Sequence, residues 1–130
     1  MNITNSNSEL YTTQILKAIK KELLRYNPMF IILHGSLLKK DKITQNSDID
    51  LILISDIFKN INFFTRMKYV QNLLRKFTPL KIDVICLTYQ EFINSLHKRK
   101  ELFYSLQKGY KILYKNNQLT IELDKNVIFK

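Results

Sequence analysis

Three aspartates and a Gly-Ser pair interrupt otherwise apolar stretches of this chain. His34-Gly35-Ser36 follows Met29-Phe30-Ile31-Ile32-Leu33, Asp48-Ile49-Asp50 opens Leu51-Ile52-Leu53-Ile54, and Asp83 lies inside Leu80–Leu87. On a strand, side chains alternate between faces, so Asp48 and Asp50 point one way while Ile49 and Leu51 point the other. Two like charges on one face repel, and desolvation at a sheet rim raises the cost further. A divalent cation relieves that conflict, and Mg²⁺ is commonly held by one or two carboxylates plus substrate phosphates. Asp83, on an adjacent strand, would add a third ligand or a general base. An isolated Asp-x-Asp reads as a strand cap or an exposed edge. The joint pattern, with Gly-Ser upstream and an Asp in a later strand, favours a site for metal-bound phosphates.

Gly35 is one of only two glycines. After a buried strand it marks a sharp turn or a close approach of backbone to ligand. Ser36 then either caps a following helix or joins its first N–H groups as an anion site. Lys39, Lys40 and Lys42 could reach a triphosphate tail or form a solvated run. His34 has no cluster of partners in the sequence and reads as a structural histidine rather than a ligand. His97 falls on a polar helix face, and Arg66 and Arg75 flank the central helix without an assigned role.

The elements that position these residues alternate. Ile15, Leu16, Ile19 and Leu23 recur at helical spacing over 9–25, and Asn27-Pro28 ends that helix because a residue before Pro is pushed out of the α region. Met29–Leu33 reads as a strand buried on both faces, 37–42 as a short helix, 43–47 as a polar loop and 48–55 as a second strand. Phe63, Met67, Val70, Leu74 and Phe77 form one stripe of an amphipathic helix over 63–77. Leu80–Leu87 is a third strand. Thr88-Tyr89-Gln90-Glu91 matches a capping box, opening helix to about 106 with a break near 98–101. Gly109 stops it, 110–114 continues as strand or turn, and 119–129 has strand character as a tail. Residues 1–8 read as a loose arm and 9–130 as one domain. The fold class is α/β, a small mixed sheet flanked by helices.

Composition narrows the function classes. The 130 residues suffice for one core and leave no room for a large second domain. The net charge of +10, from 21 basic against 11 acidic residues, attracts anions but also reflects a general Lys-, Asn- and Ile-rich bias. No aromatic–basic stacking platform stands out, so direct nucleic-acid binding is disfavoured. Cys86 is the only cysteine, which excludes an internal disulfide and fits a reducing cytoplasm. The polar N-terminus lacks a signal pattern, and no apolar run approaches a membrane span. A cytoplasmic protein is expected.

The Gly-Ser turn, the Asp-x-Asp strand and the third-strand Asp together resemble the DNA polymerase β-like nucleotidyltransferase superfamily. They look most like its minimal nucleotidyltransferase (MNT) group, antitoxin partners of HEPN proteins. The stretch Gly109-Tyr110-Lys111-Ile112-Leu113-Tyr114 is similar to that group's C-terminal ending. Leu37-Leu38-Lys39-Lys40 departs from it, standing where members often carry a small residue and a second glycine. The resemblance implies that Asp48 and Asp50 hold two Mg²⁺ ions, and that Asp83 ligates one and helps deprotonate the acceptor. It also implies that Gly35 and Ser36, with Lys39 and Lys40 nearby, take the phosphates of ATP. The implied acceptor is a tyrosine of a HEPN toxin, silenced by AMP. Two other readings remain: a binding module that neutralises a toxin by complex formation, and a small-molecule (antibiotic) nucleotidyltransferase whose acceptor walls an oligomer supplies.

Overall fold

A computed structural model describes residues 5–35, 48–78, 80–98 and 101–117, with side chains from residue 13 onward. The elements are α1 (Asn5–Leu23), β1 (Phe30–His34), β2 (Asp48–Ile54), α2 (Phe63–Leu74), β3 (Lys81–Leu87), α3 (Tyr89–His97), α4 (Glu101–Gln107) and β4 (Tyr110–Lys115). Single 3₁₀ turns cover Leu24–Tyr26 and Asp56–Phe58. The strand order is β3-β2-β1-β4. The β2–β3 pair is parallel and the others are antiparallel, which makes the sheet mixed. The expected α/β class is therefore observed.

Alternation along the strands divides the core. Ile31, Leu33, Ile49, Leu51, Leu53, Val84 and Cys86 face Ile19 and Leu23 of α1 and Val70 and Leu74 of α2. Phe30, Ile32, Ile52, Ile54 and Leu87 face Phe92 and Leu96 of α3 and Leu102, Phe103 and Leu106 of α4. The two central strands are thus apolar on both sides, as their unbroken Ile/Leu runs require. Burying each such side chain stabilises the fold by roughly 1.5–3 kcal/mol.

Local signals set the boundaries. Asn27 takes the left-handed conformation (φ 49°, ψ 56°) and closes the first helical segment ahead of Pro28. The Asn62 side chain accepts from the Phe64 N–H at 2.8 Å and caps α2. At α3 the capping box is complete: Glu91 N–H donates to Thr88 Oγ1 at 3.2 Å and Thr88 N–H to Glu91 Oε1 at 2.8 Å.

Several boundaries differ from expectation. Helix α1 begins at Asn5, so residues 5–8, read as arm, belong to it. Its first turn is polar, and hydrophobic spacing cannot detect a polar turn. Strand β1 runs one residue further, to include His34. Helix α2 ends at Leu74, and Arg75–Phe77 form a turn. Phe77, expected in its apolar stripe, therefore lies beyond the helix and is partly exposed, as is Phe63 in the first turn. The expected helix at 37–42, the loop at 43–47 and the tail at 119–129 lie outside the described residues, as do residues 1–4. No described helix is long and apolar enough to cross a membrane.

Candidate active site

The registers of three strands set the site. Antiparallel pairing places His34 opposite Asp50, and parallel pairing places Asp50 beside Asp83 and Asp48 beside Lys81. Asp48 and Asp50 share their face of β2 with Ile52 and Ile54, and Asp83 shares its face of β3 with Ile85 and Leu87. Both faces are the one covered by α3 and α4. The carboxylates thus form a row where that apolar surface ends. An Asp-x-Asp pair on β2 and the single Asp83 of β3 are thus brought together by strand pairing in this register.

Gly35 follows β1 with φ +84°, a region costly to any other residue. A Cβ there would collide with the Asp50 Oδ2 atom and stand 3.2 Å from its Cγ. Backbone is therefore packed directly against the Asp50 carboxylate, and the positive φ is the sharp turn, one of the two expectations for this glycine. Ser36, Lys39 and Lys40, expected to bind nucleotide, lie outside the described residues.

Charge crowding is legible at Asp50. Burial pushes its pKa up, the positive side of His34 pulls it down, and the neighbouring Asp83 and Asp48 push it up again. The net effect is a carboxyl group held above the usual range. A cation beside it reverses that balance. Lys81 does so only weakly, with its Nζ 3.9 Å from Asp83 Oδ2 and both side chains at least half exposed. The donor set, three hard carboxylates, fits Mg²⁺. Among the described residues no group of three or more His, Cys, Asp or Glu side chains is gathered so that the three together could hold a metal ion. An open row suits Mg²⁺, which retains water and takes phosphate oxygens as further ligands.

His34 is buried at the end of β1, and its Nδ1 is 2.8 Å from Ser105 Oγ of α4. Burial lowers its pKa, against the raising influence of Asp50. It is a satisfied histidine, as expected, yet it stands beside the carboxylates and lines a cavity of about 730 Å³. His97 is the last residue of α3, ahead of its C-cap Lys98.

Arg66 is one of two arginines the sequence left without a role. It is buried in α2, donating from Nε to Ile61 O at 2.8 Å and from Nη1 to Cys86 O at 3.2 Å and Glu91 Oε1 at 2.7 Å. Its guanidinium also lies 5.7 Å from the Phe58 ring centre. A cation on the apolar stripe of α2, four residues before Val70, was the available signal. Arg66 fixes α2 to the end of β3 and to the α3 cap, and so holds the strand that carries Asp83. Cys86 is buried, and burial pushes its thiol up to about 12, which leaves it inert.

Comparison with known proteins agrees with this geometry. The family described as polymerase beta, nucleotidyltransferase matches residues 17–119. No curated protein matches the chain significantly in sequence. Among solved structures, the fold is similar to a candidate nucleotidyltransferase from Sulfolobus solfataricus (TM-score 0.57, 20% identity, covering 95% of this chain and 97% of that one). It is also similar to a toxin–antitoxin protein crystallised with AMP-PNP (TM-score 0.53, 18% identity, covering 78% of this chain and 74% of the other).

Proposed function

Since the chain belongs to the polymerase beta nucleotidyltransferase family, we propose that it transfers AMP from ATP to a hydroxyl of a partner protein. The partner in this reading is a HEPN toxin, the acceptor a tyrosine, and the biological role that of a cytoplasmic antitoxin. The observation that carries the reading is the row of Asp50 and Asp83 in register, with Asp48 on the same face and Gly35 backed onto Asp50. The toxin–antitoxin neighbour crystallised with AMP-PNP supports the nucleotide and the type of partner.

Asp48 and Asp50 would hold Mg²⁺, with Asp83 sharing one of two ions. Bound there, Mg²⁺ supplies charge neutralisation to the triphosphate and to both the attacking and leaving oxygens. Gly35 presents backbone to the β- and γ-phosphates, with Ser36, Lys39 and Lys40 following it in sequence. Asp83 takes the proton of the acceptor hydroxyl. The freed oxygen forms a bond to the α-phosphorus as the bond from that phosphorus to the bridging oxygen breaks, and pyrophosphate leaves. His34, tied to Ser105, stands opposite Asp50 across the β1–β2 pair.

Label transfer tests this. With α-³²P-ATP, Mg²⁺ and lysate of the source cell, wild type is expected to label one protein band. The Asp48→Asn, Asp50→Asn double variant is expected to label none. Equal labelling by the two proteins would refute the reading. A second reading, stoichiometric capture without transfer, is favoured by the exposed Phe63 and Phe64 at the start of α2. It requires equimolar protein for neutralisation, whereas the transferase works substoichiometrically.

A further inference from the structure

A groove of about 420 Å³ runs along α2, with Phe64, Met67, Lys68, Gln71 and Arg75 among its lining residues. We propose that this groove is a docking surface for an acidic amphipathic helix of a partner protein. None of the three aspartates is among its described lining residues. The surface therefore does not depend on whether AMP is transferred.

The first observation is spacing. At about 100° per residue, Phe64, Lys68, Gln71 and Arg75 fall on one narrow stripe, at the four-three-four intervals of a seam between paired helices. Arg75 is the C-cap but keeps helical angles (φ −59°, ψ −22°), so the stripe continues through it. The face that α2 turns to the sheet is a different one: Arg66, Val70 and Leu74, all buried. One helix thus has an inner stripe that is covered and an outer stripe that is not. The outer stripe is about 16 Å long, three turns, which matches a partner helix of about 11 residues.

The second observation is an open aromatic anchor. Phe64 is 79% exposed at the start of the groove, with Met67 half-buried beside it. A large aromatic side chain at the end of a recess is the kind of group that anchors protein interfaces. The Phe63 and Phe64 rings meet edge to face, at 78°. Such a pair offers no parallel platform for successive bases, which disfavours single-stranded nucleic acid. A flat bilayer cannot follow a recessed surface.

The third observation is charge. Residues 57–82 contain Lys59, Arg66, Lys68, Arg75, Lys76 and Lys81 and no Asp or Glu. Arg66 is paired with Glu91, whereas among the described residues no carboxylate pairs with Lys68 or Arg75. Both of these are exposed and line the groove. A second copy of this chain on the stripe would set the cations against their like. Glutamates on a partner helix neutralise them.

The test titrates the full chain at low salt into a fluorescein-labelled peptide of about 14 residues, with leucines at the same four-three-four spacing and glutamates flanking them. Saturable binding at micromolar concentration is expected. Phe64→Ala is expected to weaken it about tenfold or more. The Lys68→Glu, Arg75→Glu double variant is expected to weaken it about tenfold, an effect that molar salt erases while that of Phe64→Ala remains. All three side chains are exposed, so both variants keep the fold, checked by circular dichroism. The Asp48→Asn, Asp50→Asn variant is expected to bind the peptide as wild type does, which separates loss of docking from loss of label transfer. Weakened binding in that variant would place the peptide at the carboxylates and overturn the proposal. So would no saturable binding up to millimolar peptide, unchanged affinity in both surface variants, or equal affinity for a peptide with lysine in place of glutamate. Displacement of the peptide by a short single-stranded RNA or by phosphatidylglycerol vesicles, through binding that Phe64→Ala abolishes, would give the surface to that ligand instead. Phe64-dependent dimerisation in sedimentation would give it to a second copy.

Discussion

Replacing Gly35 by Ala tests the site with one methyl group. The added Cβ meets two penalties of separate origin. At φ +84° an L-residue costs about 1–2 kcal/mol, from which the smaller entropy of the unfolded alanine chain returns about 0.4–1 kcal/mol. The methyl also falls on the Asp50 carboxylate, and overpacking of this kind costs typically about 1–3 kcal/mol. The sum is a destabilisation of about 1–5 kcal/mol. The second penalty exists only while the carboxylate is present. Asp50→Ala removes Oδ2 and Cγ and leaves its own Cβ 3.3 Å away, a tight but tolerable contact. In that background Gly35→Ala is expected to cost only the conformational part, about 1.6 kcal/mol or less. Urea unfolding of the wild type, both single variants and the double variant gives the coupling directly, expected at about 1–3 kcal/mol. Label transfer by Gly35→Ala is expected to fall about 100-fold, since a carboxylate displaced by about 1 Å loses its productive geometry. An identical cost of Gly35→Ala in both backgrounds would refute the close approach and with it the role given to this glycine.

Other outcomes follow from burial and charge. Arg66→Ala is expected to destabilise by about 2–4 kcal/mol in urea, through the orphaned Cys86 and Ile61 carbonyls more than through the half-exposed Glu91. Burial works to raise the Glu91 pKa, but the hydrogen bonds from Arg66 and Thr88 outweigh it and hold the group below its ordinary 4.5. Its stabilising contribution is therefore full above pH 4.5 and lost as pH falls through the lower folded value. Unfolding measured from pH 6 downward should lose that slope in Glu91→Gln. Asp50 behaves oppositely: burial and its acidic neighbours raise its pKa, so ionisation costs stability as pH rises above 3.8. Without metal, Asp50→Asn is expected to melt higher than wild type at pH 7 while losing all transfer, and an unchanged or lower melting temperature would contradict the crowding. Cys86 should resist a thiol reagent in native protein and react fully in denaturant; rapid native modification would contradict its burial.

Much of this site was readable before any coordinates. The aspartates were conspicuous because polar residues inside Ile/Leu runs violate the burial pattern around them, and the period of two placed Asp48 and Asp50 together. The parallel register that sets Asp83 beside Asp50 was not readable, since pairing depends on the crossover through α2 rather than on either strand's sequence. Thr88 and Glu91 announced their helix because both halves of the cap lie within four residues. Arg66 escaped because its partners, Cys86 O and Glu91, lie 20 and 25 positions away. The cavity escaped for the same reason: its walls come from β1, β3, α2, α3 and α4, and no local pattern joins them. Phe63 and Phe77 matched the helical period yet fell at or beyond the helix ends, where the period still holds but the sheet no longer lies opposite.

The side chains that fasten α2 to β3 also decide how the sheet can meet another chain. Ser55 N–H bonds to Leu87 O, so odd-numbered carbonyls of β3 face β2 and Ile82, Val84 and Cys86 face outward. Gln71 Nε2 occupies the Ile82 carbonyl at 3.0 Å and Arg66 the Cys86 carbonyl. A foreign strand arriving at this margin finds two of these three acceptors already taken. At the other margin, β4 departs from regular pairing between Ile31 and Ile32 and carries Lys111 and Lys115, features that discourage strand addition. Exposed strand edges on a sheet this apolar invite strand addition, and with both margins blunted a partner would instead approach over helices and side chains.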